Sequence, residues 1–315
     1  MSGTNYSLAA GYRAYVEQIK PDLITEMFTK FKTGTIATPH EGTKGKVVLS
    51  ELEIATNVAR RWTKEFRGTE NASIKPKVLE VVRNTVEHRE YPQQFEGMYL
   101  GLLRQREQSP TDWPIQAMVL DKIIQKLRSE LEVAFWQAEA AAVPADTDLL
   151  RATFDGALKQ IADAIVANDL TPVVNVASTL TLLRTMWEQV ADWQKEEGTD
   201  IFMSYKRFDR LRIEIKDTYK IDAAYTDING SGYRGMAFEL GANNTTIIPI
   251  SGMGDSDRVI IMPRQNLHYQ YDAPSDWDGF RLQELHRHLD FWSDFNFGVG
   301  MTFLRNKYCV VNDAA

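Results

Sequence analysis

Several groups of residues have types and spacings that could support chemistry. In Gly252-Met253-Gly254-Asp255-Ser256-Asp257 the glycines would let backbone amides approach an anion. A phosphate loop also needs a Lys-Ser/Thr ending, or G-x-G-x-x-G spacing opening a helix, and neither is present. Asp255 and Asp257 would repel phosphate, so a tight turn between two strands is the better reading. His286 and His288 stand two apart. On a helix they diverge, on a strand they share a face, and in neither case is a third metal ligand evident. His40 and His88 fall at the ends of an extended stretch and read as solvent-exposed. Asp276, Asp278 and Glu284 could form an acid/base set, but carboxylates in a loop that leads into a helix more often serve as caps. Cys309 has no close histidine and only Lys307 nearby to lower its pKa, which suits a buried structural thiol. Trp113, Phe135, Trp136, Trp187 and Trp193 sit on helical patterns and read as core or subunit contacts. No catalytic residue, metal or cofactor is expected, and the chain does not read as an enzyme.

The elements that position these residues belong to a chain of 315 residues, 43% hydrophobic and 25% charged. Those are the proportions of an ordinary folded protein and exclude disorder or collagen-like repetition as global descriptions. The net charge of −7 makes the chain as a whole a poor match for nucleic acid, whose phosphates call for clustered Lys and Arg. One cysteine permits no internal disulfide and favours a reducing compartment. MSGTNYSLAAGYRAYVEQ lacks the basic and apolar regions of a secretory signal, no run approaches about 18 apolar residues, and Ser2 rules out N-myristoylation. A chain made and kept in the cytoplasm is expected.

Along the sequence, 5–31 reads as a short amphipathic helix broken near Pro21, and 33–46 as loop. KVVLSELEI (46–54) and KVLEVVRNTVEH (77–88) are β-branched and partly alternating, and predict a long two-stranded excursion, although 55–66 has a helical alternative. Such a ribbon is marginal alone and needs a neighbouring surface. Between Lys44 and Arg83 nine Lys or Arg face five Glu, a net of +4, which leaves −11 for the remainder. The strongest helix starts at Asp112, with Pro114 in its first turn and an apolar stripe through Ile115, Val119, Ile123, Leu127, Leu131, Phe135 and Ala138, and runs to about Ala142. At about 1.5 Å per residue it is a rod of about 45 Å, a structural spine. Helices are also predicted over 146–168, over 178–197 with Gly198 as its stop, and after a short buried strand, DIFMS (200–204), whose Ser204 caps YKRFDRLRIEIKDTY. TTIIPIS (245–251), RVIIMP (258–263) and the alternation Phe295, Phe297, Val299, Met301, Phe303 predict strands, with FRLQELHRHLDFW (280–292) as a short linking helix.

The order of arm, hairpin, spine helix, second helix, α+β segment, Gly/Asn-rich loop and closing strands resembles the major capsid protein of tailed bacteriophages, the Hong Kong 97-like fold. RVIIMPRQNLHYQYD (258–272) resembles the family's strand, turn and "NL…D" pattern. DIFMSYKRFDRL (200–211) is similar to the strand and capped helix of its axial domain, RATFDGALKQIADAI (151–165) to the segment after its spine, and FNFGVGMTFLRNKYCVV to its final strands. The resemblance covers roughly residues 40 to 310. It implies an α+β fold divided into an N-terminal arm (1–32), an extended hairpin or E-loop with its base (33–110), a peripheral domain with the spine helix (111–169), an axial domain (170–250) and closing strands of the peripheral domain (251–315).

The same resemblance implies a shell of hexamers and pentamers, icosahedral or prolate, around double-stranded phage DNA held without sequence specificity. Its E-loop would lie on a neighbouring subunit through Lys44, Lys46, Arg60, Arg61, Trp62, Lys64 and Arg67. Its axial loop, with Asn229, Gly230, Gly232, Asn243 and Asn244, would point towards the five- and six-fold axes. Many relatives begin with a scaffolding segment that is cleaved away, and only a short arm precedes the hairpin here. Scaffolding would therefore be a separate protein, or the arm is not cleaved; a portal protein would be another partner, a decoration protein a further one, and a membrane none. The expected location is the virion capsid, assembled in the host cytoplasm. The alternatives are an encapsulin-like compartment shell and a cytoplasmic enzyme that uses the 252–257 loop.

Overall fold

A computed structural model describes residues 27–42, 45–54, 72–91, 115–143, 145, 149–219, 245–273, 281–284 and 288–313. The spine helix α1 is Ile115–Gln137, 23 residues or about 35 Å at about 1.5 Å per residue. Val119, Ile123, Leu127, Leu131 and Phe135 are buried as their periodicity predicts. Leu120, Ile124, Ala134 and Trp136 join them, so the inward face is wider than a single i+4 row.

The helix stops at Gln137 rather than Ala142 because its backbone finds other partners. Glu139 N–H donates to Arg151 O and Ala141 N–H to Ala152 O, both at 2.8 Å, while Gly156 N–H donates to Ala138 O. A Cβ at Gly156 would lie 2.8 Å from Ala138 N and 2.9 Å from Ala134 O, so this close crossing requires glycine. The next helix accordingly starts late. One 3-10 turn (Leu150–Ala152) precedes α2 (Ala157–Val166), and Phe154 and Ile161 supply the buried face. The helix expected over 178–197 is two, α3 (Thr179–Gln189) and α4 (Asp192–Glu197), divided by extended backbone at Val190. Ser178 caps α3 by accepting from Thr181 N–H, and Gly198 at φ 101° ends α4.

The strands are β1 (Thr38–Glu41), β2 (Val47–Ile54), β3 (Ala72–Leu79), β4 (Val82–Glu90), β5 (Asp200–Ser204), β6 (Thr246–Ile250), β7 (Val259–Met262), β8 (Leu267–Tyr271), β9 (Arg281–Glu284), β10 (Leu289–Met301) and β11 (Val310–Val311). They form a five-stranded sheet in the order β1-β8-β10-β4 with β9 also on β10, a four-stranded sheet β11-β7-β5-β6, and the ribbon β2-β3. Helix α5 (Tyr205–Tyr219) follows β5 directly, as expected, and Ser204 Oγ accepts from Arg207 N–H at its start.

Two expectations are corrected. The linking helix over 280–292 is instead β9 and the start of β10, paired from Leu289↔Glu284 to Trp292↔Arg281. The inward alternation of β10 begins at Phe291 and continues through Phe295, Phe297, Val299 and Met301, and this pairing overrides the helix-like leucine spacing. Phe303 lies beyond the strand, at φ 51°. The return arm of the hairpin is likewise divided. Residues 72–79 pair with β2, whereas 82–90 leave the ribbon and pair with β10 from Phe297↔Val82 to Leu289↔Glu90.

Every residue of β5, β6 and β7 is buried, because the four-stranded sheet separates two cores. Phe202, Ile248, Ile250, Ile260 and Met262 face α1 and the five-stranded sheet. Ile201, Met203, Ile247, Val259 and Ile261 face α3 and α5. In the first core Phe28 stacks on Tyr271 (centroids 5.3 Å apart), Phe31 meets Tyr269 edge-on (5.6 Å) and Phe154 packs on Phe297 (5.6 Å). Each such pair is worth about 0.5–1.5 kcal/mol beyond burial, so residues 27–31 are fixed in this core.

Candidate subunit interface

The ribbon β2-β3 is paired through eight residues, from Val47↔Leu79 to Ile54↔Ala72, and each strand leaves one edge open among the described residues. Pro76, opposite Ser50, suits such an edge because it has no N–H to donate. Val48 and Val78 are cross-strand partners, yet they are 55% and 45% exposed. A β-branched pair normally stabilises a sheet by packing, and here its outer face is uncovered. Lys46 at the base of β2 forms an exposed ion pair with Glu80 just past β3. Of the expected hairpin contacts, Lys46 is therefore placed on the ribbon. Lys44, Arg60, Arg61, Trp62, Lys64 and Arg67 lie outside the described residues, as do Asn229, Gly230, Gly232, Asn243 and Asn244 of the expected axial loop.

Where the ribbon joins the body, its root crosses the five-stranded sheet over two glycines of β10. A Cβ at Gly298 would lie 2.2 Å from Glu80 O and 3.2 Å from Val81 Cα, and one at Gly300 would lie 2.2 Å from Leu79 Cδ1. The pattern Phe297-Gly298-Val299-Gly300-Met301 carried this signal, because glycines at i and i+2 of a strand mark close approach of another backbone. On the glycine side of the sheet β1 pairs in parallel with β8, placing Thr38 beside His268 and His40 beside Gln270. His40 is thus half-buried in a strand and not solvent-exposed as expected. Its Nε2 lies 3.1 Å from His268 Nδ1, and His268 Nε2 lies 3.1 Å from Thr302 Oγ1. Burial, and then the charge of His40, holds His268 down at about 4.

The 252–257 segment is the turn between β6 and β7 that its composition predicts, and it connects both cores. Gly252 sits against α1, where a Cβ would be 2.2 Å from Glu132 O, and Gln137 Nε2 donates to Gly252 O at 2.5 Å. Asp257 Oδ1 lies 3.3 Å from Arg207 Nε, 3.4 Å from Arg210 Nη1 and 3.6 Å from Lys206 Nζ, all on α5. Arg207 is buried and also donates to Val176 O, Asn175 Oδ1 and Asp257 O. The acidic loop is therefore bound by the protein's own cations, a use that its sequence did not disclose.

Across α1, Thr33 donates to Glu132 through its N–H (2.8 Å) and its hydroxyl (2.7 Å), and Trp136 Nε1 donates to Thr33 Oγ1 (2.8 Å). Burial pushes the Glu132 carboxyl above its ordinary value, against the pull of the two Thr33 bonds. This junction ties residues 27–37 to the spine.

The remaining candidates for chemistry are dispersed. Cys309 is buried, and burial pushes its thiol up to about 12. His88 is half-buried in β4, opposite Phe291. His288 Nε2 is 3.8 Å from Asp290 Oδ2, and Glu284 lies in β9. Asp276, Asp278, His286 and Trp113 lie outside the described residues. Phe135 and Trp136 are core residues, and Trp193 meets Tyr308 edge-on at 5.6 Å. Among the described residues no group of three metal-ligating side chains is present, and no helix is long and apolar enough to cross a membrane.

No protein-family model and no curated protein matches the sequence. Solved structures do. The chain is similar to one from the satellite phage P4 procapsid, with a TM-score of 0.55 at 10% identity over 94% of this chain and 98% of that one. It is similar to one from the capsid of Myoviridae phage XM1, with a TM-score of 0.52 at 8% identity over 90% and 91%. A chain of the cyanophage A-1(L) capsid gives 0.52 at 10% identity over 91% and 93%. At these identities the likeness is one of fold, and it spans nearly the whole chain. The α+β, Hong Kong 97-like fold expected from the element order is the fold observed.

Proposed function

We propose that this chain is the major capsid protein of a tailed bacteriophage, assembling as hexamers and pentamers into the shell that encloses double-stranded DNA. The reading rests on the β2-β3 ribbon, in a chain that shares its fold with phage capsid structures. A ribbon whose two edges are open among the described residues, with an outward Val48–Val78 pair, has a surface that a second copy would complete. Charge supports the same partner: a net +4 between Lys44 and Arg83 would meet the −11 of a neighbour's remaining sequence, which favours encounter and register. Repeated about a rotation axis, such a head-to-tail contact closes into rings.

In this reading α1 and the five-stranded sheet form the peripheral domain. The axial domain is the four-stranded sheet with α3 to α5, drawing β7 and β11 from the closing segment, and its 227–244 loop is directed at the capsomer axis. The role is structural and not catalytic. Scaffolding and portal proteins are separate partners, a decoration protein can bind outside, and the location is the virion, assembled in host cytoplasm.

Electron microscopy of the purified protein, alone and with its scaffold, tests the proposal. Closed particles or capsomers are expected, with DNA and not enzyme cargo inside particles recovered from infected cells. Persistent monomers at high concentration under both conditions would overturn it. Reversing the charges at Arg60, Arg61 and Lys64 is expected to impair assembly while leaving the subunit's melting temperature unchanged.

A further inference from the structure

Beyond the shell itself, the geometry points to the His40–His268 pair as an acid-sensitive latch that holds β1 on β8 and thereby anchors the start of the extended ribbon. β1 is a four-residue edge strand whose sheet partner is β8, and the chain passes from Glu41 to β2 within a few residues. Whatever frees β1 removes this anchor just before β2, which is then held by its pairing with β3.

The two rings meet nitrogen to nitrogen at 3.1 Å, an arrangement that needs one N–H donor and one bare acceptor. When both rings are protonated, two N–H groups face each other with no acceptor between them, and two positive charges lie across a 5.1 Å centroid separation. Thr302 Oγ1, on the far side of His268, can accept from one ring nitrogen but cannot neutralise the charge.

Among the described residues no counter-charge is aimed at the pair from the elements packed around it. Tyr269 and Tyr271 of β8 lie on the opposite face, towards the aromatic core, and Glu41 of β1 acts on Tyr271. On the histidine face β10 contributes Gly298 and Gly300. At the ribbon root Glu80 is exposed and held by Lys46, and in the turn before β8 Arg264 is held by Asp200 at 2.7 and 3.0 Å. Gln270, beside His40, is buried and neutral. Burial and His40 are what hold His268 at about 4, so seating the pair in the sheet favours the neutral ring about a hundredfold or more over its ordinary behaviour. A group whose folded pKa is depressed supports the fold above its unfolded value, and that support is lost as pH falls from about 6.5 through about 4. The latch is thus closed at neutral pH and opens in that window. It is a property of the single subunit and stands whether or not the chain builds a shell.

Hydrogen–deuterium exchange of the full-length protein at pH 7.5, 6 and 4.5, corrected for intrinsic rates, tests this inference. Peptides covering 36–42 are expected to open at least tenfold faster at pH 4.5 than at 7.5, relative to peptides of α1. His40→Gln and His268→Gln, each removing one ring of the pair, should flatten that response. The histidine resonances of the wild-type protein give a second measurement that needs no variant, with His268 expected to titrate near 4. Exchange at 36–42 that tracks α1 at every pH, an unaltered acid response in both variants, or a His268 midpoint near 6.5 would each overturn the latch.

Discussion

Replacing Gly298 by alanine probes the seat of the ribbon directly. The added Cβ would lie 2.2 Å from Glu80 O, 3.1 Å from Glu80 C and 3.2 Å from Val81 Cα, all backbone atoms. An ordinary contact is about 3.4–4 Å, so the root of the ribbon must move outward by roughly 1 Å. Overpacking of this kind costs about 1–3 kcal/mol, and alanine's advantage over glycine in a strand returns about 0.5–1. A net loss of about 1–2 kcal/mol corresponds to a fall of roughly 2–8 °C in Tm at about 2–4 °C per kcal/mol. Gly300→Ala supplies the internal comparison, because its Cβ would meet a side chain, Leu79 Cδ1 at 2.2 Å. Removing that side chain with Leu79→Ala should therefore relieve Gly300→Ala and leave the cost of Gly298→Ala intact. Calorimetry on the singles and doubles measures both couplings. A Gly298→Ala protein as stable as the wild type, or one rescued by Leu79→Ala as fully as Gly300→Ala, would refute the backbone seating.

Two further outcomes follow from buried groups. Asp257→Asn should destabilise by about 1–2 kcal/mol in chemical denaturation, because the buried Arg207 guanidinium loses a half-exposed carboxylate but keeps its other acceptors, whereas Asp255→Asn at an exposed position should change little. Cys309, with its thiol pushed up to about 12 by burial, should resist iodoacetamide at pH 8 in the native protein and react once the chain is unfolded.

The sequence declared those parts of the fold that repeat locally. The stripe of α1, the Ser204 cap, the Gly198 stop and the period-2 run of β10 were all legible, because each is set by neighbours within a turn or a strand. What it hid depends on partners far along the chain. The early end of α1 follows from hydrogen bonds to Arg151 and Ala152, and the split of the return arm at Glu80 follows from β10. Asp257 looked like a free acid because its three cations lie on α5. His40 looked exposed because His268 approaches it from 228 positions away.

That separation has a kinetic consequence. β4 is ready as soon as residue 90 is made, yet its partner β10 comes so much later that Arg83 and Asp294, which meet across the two strands, are 211 positions apart. At about 5–20 residues per second, a ribosome needs roughly 10–40 s to supply the missing strand. During that interval β1, β4 and the aromatic side chains of Phe28 and Phe31 have no sheet to join. The first core therefore closes only once β10 has been made, through long-range contacts that are intrinsically slow to form. Until β10 arrives β4 lacks the strand that pairs along it, and such an unpaired edge is a template for pairing with another chain.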